Sequence, residues 1–289
     1  MKDLQGIQLG GNDLTGWDFS GQNLAGAELT SNLTNADLSG TNLTYAELYS
    51  STLTNTNLTG AVVTWANFGV TTSRGFTQSQ LASTASYQAK DLQGIGLQEN
   101  DLAGWDFSRQ NLTSAYLASS NLTNANLNSS TLTNANLAGA VVTGANFTDT
   151  TSRGLTQAQL ESTASYQAKN LQGIRLAENN LSGWDFSGQN LTNASLFSST
   201  LTNANLTSAK LNSSALTNAN LTGAVVTGAN FGVTTSRGFT QAQLASTASY
   251  QAKNLQGIGL QENDLTGWDF SAQNLTIASL TSSTLTNAN

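Results

Sequence analysis

Large apolar residues return at every fifth position in the stretch TLTNANLAGAVVTGANF, residues 131–147, as Leu132, Leu137, Val142 and Phe147. Five matches neither the 3.6-residue turn of a helix nor the alternation of a flat strand. The same spacing brings Leu122 and Leu127 before this stretch, and Leu201, Leu206, Leu211, Leu216, Leu221, Val226 and Phe231 after it. A strand turns positions two apart to one face, and a corner after each such pair absorbs the remaining residues. Gly and Asn, which tolerate unusual φ, commonly follow at that corner. The period is therefore one side of a cornered coil. Stacked coils pair main chain to main chain at ~4.8 Å, and each buried Leu contributes roughly 1.5–3 kcal/mol. These apolar residues are the predicted structural core.

Two residues before each large one stands Ala or Ser, as at Ala125, Ser130, Ala135, Ala140 and Ala145, and between them sits Asn or Asp. These residues, A-[N/D]-L-x-x repeated over most of the chain, resemble the pentapeptide-repeat family. The resemblance implies an all-β fold, a right-handed quadrilateral parallel β-helix with four pentapeptides to a square coil. It also implies that the central Leu or Phe and the small residue two before it point inward. On this reading residues 1–289 form one solenoid. Its repeat blocks are 1–69, 90–148, 169–232 and 253–289, and helix-containing interruptions occupy 70–89, 149–168 and 233–252.

The interruptions are near copies of one another. Thr77-x-x-Gln80, Thr156-x-x-Gln159 and Thr240-x-x-Gln243 each fit a capping box. Leu81 and Ala85, at i and i+4, then form the inner stripe of one short helix. Leu160 and Leu244 repeat Leu81, and Tyr87, Tyr166 and Tyr250 close the return to the coil.

Each block opens with departures from the repeat. Two before the core residue stand Lys90, Ile95, Asn100, Trp105 and Gln110, matching Lys2, Ile7, Asn12, Trp17 and Gln22, with Trp184 and Trp268 in the later blocks. A square coil has little room for Trp or Lys. Either these coils are wider, or the side chains turn outward as a floor for the returning helix.

Composition narrows the chemistry. There is no Cys and no His, so thiolate sites, the commonest metal ligand and the commonest general base are missing. Pro is absent, as expected if nearly every amide enters a ladder. No catalytic residue, cofactor or metal site is expected; acids near the block starts, such as Glu99, Asp101 and Asp106, lack a dense calcium loop. Net charge is -7 without a basic stripe, which argues against nucleic acid. No run is long enough for a membrane span. Arg74, Arg153 and Arg237 recur with the interruptions, and with the block-start lysines they are expected to meet acids or helix carbonyls.

The expected function is a non-enzymatic structural or protein-interaction solenoid, in a larger surface or extracellular repeat protein. Its expected partner is another protein or a second copy, stacked head to tail at uncapped ends. An alternative implied by the resemblance is a DNA mimic that binds topoisomerases, which needs a dense negative stripe. A third is an ice- or carbohydrate-binding solenoid, using outward Thr ladders or exposed aromatics.

Overall fold

The fold is a repeat solenoid. A computed structural model describes residues 3–289, so Met1 and Lys2 fall outside it. The chain divides into two compact units, Met1–Val141 with Arg153–Ala164, and Val142–Ser152 with Ser165–Asn289.

In the first unit the coils are joined by single parallel bridges, not extended strands. Asp101 pairs with Asn121, Asp106 with Asn126, and Asn111 with Thr131, each 20 residues on. Each circuit therefore holds four pentapeptides. Near the N-terminus the step shortens to 19, as between Asp13 and Asn32, where the sequence drops one residue. The second unit repeats the pattern, with Asn190 paired to Lys210 and Asn205 to Val225.

The pentapeptide Asn111–Ala115 shows why the repeat has this composition. Asn111 and Leu112 donate their amides to Lys90 and Thr131 carbonyls in the coils on either side, at 2.8 and 2.9 Å. Ser114 donates to the Thr133 carbonyl at 2.8 Å, and Ala115 closes the corner on the Leu112 carbonyl at 2.9 Å. The fifth amide, of Thr113, donates to Asn111 Oδ1 at 3.1 Å. All five amides are placed, so proline fits nowhere in such a unit. The last bond explains the Asn or Asp before each core residue. Its side chain accepts the amide two residues on.

That side chain also links coils. Asn111 and Asn121 donate through Nδ2 to Asp91 and Asp101 at 3.0 and 2.9 Å. Higher in the first block, Asn42 donates to Asn23, which donates to Asp3. Asn both accepts and donates, whereas ionised Asp only accepts. Asp accordingly stands at the foot of these columns and Asn above it.

Inside the first unit, Leu122, Leu127 and Leu132 are fully buried and Leu137 nearly so. In the second, Val142, Phe147, Leu201, Leu206, Leu211, Leu216, Leu221, Val226 and Phe231 fill the same role. The small residue two before the core is buried too, and where it is polar it bonds inward. Ser120 Oγ donates to the Leu97 carbonyl at 2.8 Å and Ser214 Oγ to the Leu191 carbonyl at 2.6 Å.

Except at the shortened step between Leu29 and Leu33, the corners of the repeat each carry one left-handed residue, and not all of them are Gly or Asn. Ile277 holds φ 55° there while 81% exposed, so its strain is offset by little packing. Ile277→Asn is expected to raise stability by about 1 kcal/mol, since Asn tolerates this region. Urea unfolding of the two proteins measures it, and an unchanged midpoint counts against the strain.

Candidate functional site

The interruptions are the places where the repeat gives way to side-chain-specific structure. In the first unit Asn67 bridges to Gly96, 29 residues on; in the second, Asn146 bridges to Arg175 and Asn230 to Gly259 at the same step. The inserted chain stands in for pentapeptides beneath the next coil. Its main chain keeps the ladder going, with Leu53 and Gly60 donating to the Arg74 and Ser83 carbonyls at 2.8 Å each.

The interruption is built differently from the single helix expected. A 3-10 turn, Thr72–Arg74, precedes two short helices, α1 (Gln78–Ala82) and α2 (Ala85–Gln88). Leu81 and Ala85 thus belong to separate helices. The break arises at Ser83 and Thr84, whose hydroxyls donate back to the Gln80 and Leu81 carbonyls at 2.7 Å. Thr84 also caps α2, accepting from the Tyr87 amide. The pattern returns as α3 (Gln157–Glu161) and α4 (Ala164–Gln167), then α5 (Gln241–Ala245) and α6 (Ala248–Gln251).

The capping box forms at Thr77, Thr156 and Thr240. Glu would close such a box equally well, but Gln80 Nε2 also donates to the Leu53 and Thr56 carbonyls at 2.8 and 2.9 Å. Gln243 repeats this on Leu216 and Ala219. The third box residue is Gln because it must donate downward. Leu81, Leu160 and Leu244 are buried.

The block-start departures form the seat for this segment. Ile95 is fully buried and Asn100 is 2% exposed. Asn100 Oδ1 accepts from the Thr71 and Thr72 amides at 2.8 and 2.9 Å, while Nδ2 donates to the Phe68 and Leu97 carbonyls at 2.8 and 3.1 Å. Asn179 and Asn263 accept the corresponding amide pairs, Thr150 with Thr151 and Thr234 with Thr235. Gln110 Nε2 donates to the Tyr87 carbonyl at 3.0 Å, marking where the segment leaves.

Trp105 lies against Phe76, centroids 5.8 Å apart and edge-on, and against Phe107 at 6.1 Å. Phe239 and Trp268 repeat the contact at 5.7 Å. Trp184 packs on Phe186 at 6.1 Å. Tyr87 and Tyr250 donate their hydroxyls to the Asp106 and Asp269 carbonyls at 2.7 Å, and Tyr166 reaches Asp185 in the same way. Burial, then the nearby Asp106 or Asp269 carboxylate, pushes the Tyr87 and Tyr250 hydroxyls above their ordinary range, which keeps them protonated donors. The lysines, expected at acids or helix carbonyls, lie over these rings as well: Lys90, Lys169 and Lys253 Nζ sit 5.2, 5.3 and 5.4 Å from the Tyr87, Tyr166 and Tyr250 centroids. Lys169 Nζ donates to the Ser187 carbonyl at 3.2 Å, and the Lys253 charge helps hold Asp269 low. The first block's Trp17, by contrast, is 51% exposed.

Beside the seat runs a groove lined by Thr72, Phe76, Glu99, Asp101 and Trp105, repeated at Thr235, Phe239, Glu262, Asp264 and Trp268. Asp264 and Asp269 are held below the usual carboxylate range by their Thr266 and Ser271 hydrogen bonds. Among the described residues no acids gather into a group able to hold a metal ion, and no helix is long and apolar enough to cross a membrane.

Sequence reasoning flagged Asn100 and Gln110 as oddities without finding their partners. It passed over Phe76, Phe239 and the helix cap Thr84. Thr84 recurs as Thr163 and Thr247, which was the available signal for the cap; the middle interruption has Leu155 where the others have Phe76 and Phe239.

A family model for pentapeptide repeats matches residues 31–69, 91–128, 111–149 and 199–232, in eight copies. No curated protein matches the chain. Among solved structures, it is similar to HetL from the cyanobacterium Nostoc, a pentapeptide repeat protein involved in heterocyst differentiation regulation. Identity is 24% over 94% of this chain and 88% of that one, with a TM-score of 0.19. A pentapeptide repeat protein from the Arabidopsis thaliana thylakoid lumen is 25% identical over 44% of this chain and 69% of its own, TM-score 0.21. QnrB1, a plasmid-mediated fluoroquinolone resistance protein, is 13% identical over 96% and 91%, TM-score 0.19.

Proposed function

This chain is built of the repeats that define the pentapeptide-repeat family, and from that premise we propose that it is a non-enzymatic structural and protein-interaction solenoid that associates with further copies head to tail. We read each circuit as a right-handed quadrilateral β-helix coil, supported by four left-handed corners in every 20 residues, as at Gly104, Arg109, Ser114 and Ser119.

The observation that carries the association is apolar and main-chain surface of a kind able to pair with another chain, as at Leu285, which is 46% exposed. The chemistry of the surface supports a non-catalytic reading, since abundant Ser and Thr hydroxyls have no imidazole to activate them. A DNA-like anionic stripe is not favoured, because Asp gives way to Asn one or two rungs up, as in the column Asp18, Asp37, Asn57.

Light scattering at increasing concentration tests this reading. The expected result is a rising weight-average mass that Leu285→Lys suppresses. A single monomer mass across the whole range sinks it.

A further inference from the structure

The side wall of the first unit carries a ledge of two stacked aromatic rings beside two carboxylates, and we propose that it binds an arginine side chain of a basic segment in a partner protein. The proposal rests on the protein-interaction half of the function put forward above, and not on head-to-tail association.

The rings stand where the repeat disfavours them. Tyr45 and Trp65 occupy successive corners at φ 60° and 61°, the left-handed region in which a Cβ is crowded. The corresponding corners of the next two blocks hold Asn124 and Gly144, then Ser208 and Gly228. Packing offsets little of that strain, since Tyr45 is 63% exposed and Trp65 36%. Strain kept at exposed positions points to a role outside the fold.

The stack leaves one ring face open. The amides of Gly26, Tyr45 and Trp65 donate to the Thr44, Thr64 and Gln93 carbonyls, so the corner residues Gly26, Tyr45, Trp65 and Gly94 form one column. The two rings lie 5.7 Å apart between centroids, with planes 20° from parallel. Trp65 rests its other face on Gly94, where a Cβ would come within 2.1 Å of the indole. On the far side of Tyr45 stands Gly26, and a Cβ there would meet nothing within 4 Å. The outer face of Tyr45 is thus free, with a fixed aromatic stack behind it.

Charge selects the ligand. Glu47 follows Tyr45 by two residues, and Glu28 bridges to Glu47 from the coil before. Oε1 of each accepts the amide two residues on, from Tyr49 at 3.0 Å and from Thr30 at 3.2 Å, which fixes the carboxylates and leaves Oε2 of each for a ligand. Residues 3–69 hold six acids and no Lys or Arg. In the later blocks Asn126 and Lys210 take the place of Glu47, so this carboxylate, like the rings, is confined to the first block. A guanidinium is planar and always charged; it stacks on an aromatic face while its N–H groups pair with carboxylates. A neutral sugar would use the ring but draw no benefit from the net charge.

The test is fluorescence anisotropy of a fluorescein-labelled peptide, GRGRGRG, titrated with the full chain at low ionic strength. We expect saturable binding that weakens as salt rises. Tyr45→Asn should bind about tenfold more weakly, and Glu47→Gln about threefold. Both variants keep the fold, since Asn suits a left-handed corner and Gln still accepts the Tyr49 amide. Phe197→Ser, which removes a 40% exposed ring from the second unit, should leave the affinity unchanged. A peptide with citrulline in place of arginine, equally planar but neutral, should not bind. Absence of binding overturns the proposal, as does full affinity in Tyr45→Asn or equal binding of the citrulline peptide. Maltohexaose bound at Tyr45 in place of the peptide overturns it too. A chain that binds the peptide yet stays monomeric defeats head-to-tail association alone; one that assembles but ignores the peptide defeats this site alone.

Discussion

Asn100→Ala is expected to destabilise the protein by about 3–5 kcal/mol, while Asn12→Ala costs less than about 1 kcal/mol. The residues are equivalent in sequence, so the contrast isolates what the seat does. Asn100 is buried and accepts two main-chain amides while donating to two carbonyls. Its removal strands the Thr71 amide, in a fully buried residue, and the part-buried Thr72 amide, each at roughly 1–3 kcal/mol. Asn12 is exposed, so water replaces what it loses. Urea unfolding followed by circular dichroism gives both values. Hydrogen exchange adds a location, since residues 71–88 should lose protection first in Asn100→Ala. Equal effects at the two positions would mean that the amide pair is satisfied some other way.

Phe107→Ala should cost about 3–5 kcal/mol, and Phe107→Leu less than about 1.5 kcal/mol. Phe107 is fully buried, and its ring stacks on Trp105, which in turn meets Phe76. Truncation therefore opens a cavity in the coil and loosens the floor under the interruption. Leu restores most of the volume, and Leu is the usual occupant of this position along the chain. Thermal unfolding of both variants decides the matter. A Leu variant as damaged as the Ala variant would show that the ring contact with Trp105 matters more than the filled volume.

Much of the architecture was legible because one physical cause writes it into every fifth residue. Leu122, Leu127 and Leu132 could be placed without coordinates, since a residue that repeats in phase must face a repeating environment. The Asn before each Leu was visible too, although its reason was not: the bond from Thr113 to Asn111 needs a corner geometry that spacing alone does not supply. The two-helix form of the interruption was hidden by the i, i+4 pair Leu81 and Ala85. Periodicity sees the stripe and misses the hydroxyls of Ser83 and Thr84, which turn back on the first helix's carbonyls. Asn100 was harder still. Its partners at Thr71 and Thr72 lie 29 and 28 residues away, across an irregular segment whose path follows no period. The contrast between Trp17 and Trp105 was beyond sequence reading, because identical letters acquire different surroundings only once the chain is folded.

The 29-residue circuit also solves a counting problem. A uniform array of five-residue units can slip by a whole turn and remake nearly all of its contacts, so many alignments lie close in energy. An asparagine that fits only a Thr-Thr pair ends that degeneracy. Shifted by one turn, its buried amide would face a plain corner and the indole beside it would find no phenylalanine. Each insertion thus acts as an index mark, giving an otherwise monotonous chain one alignment that is better than its neighbours.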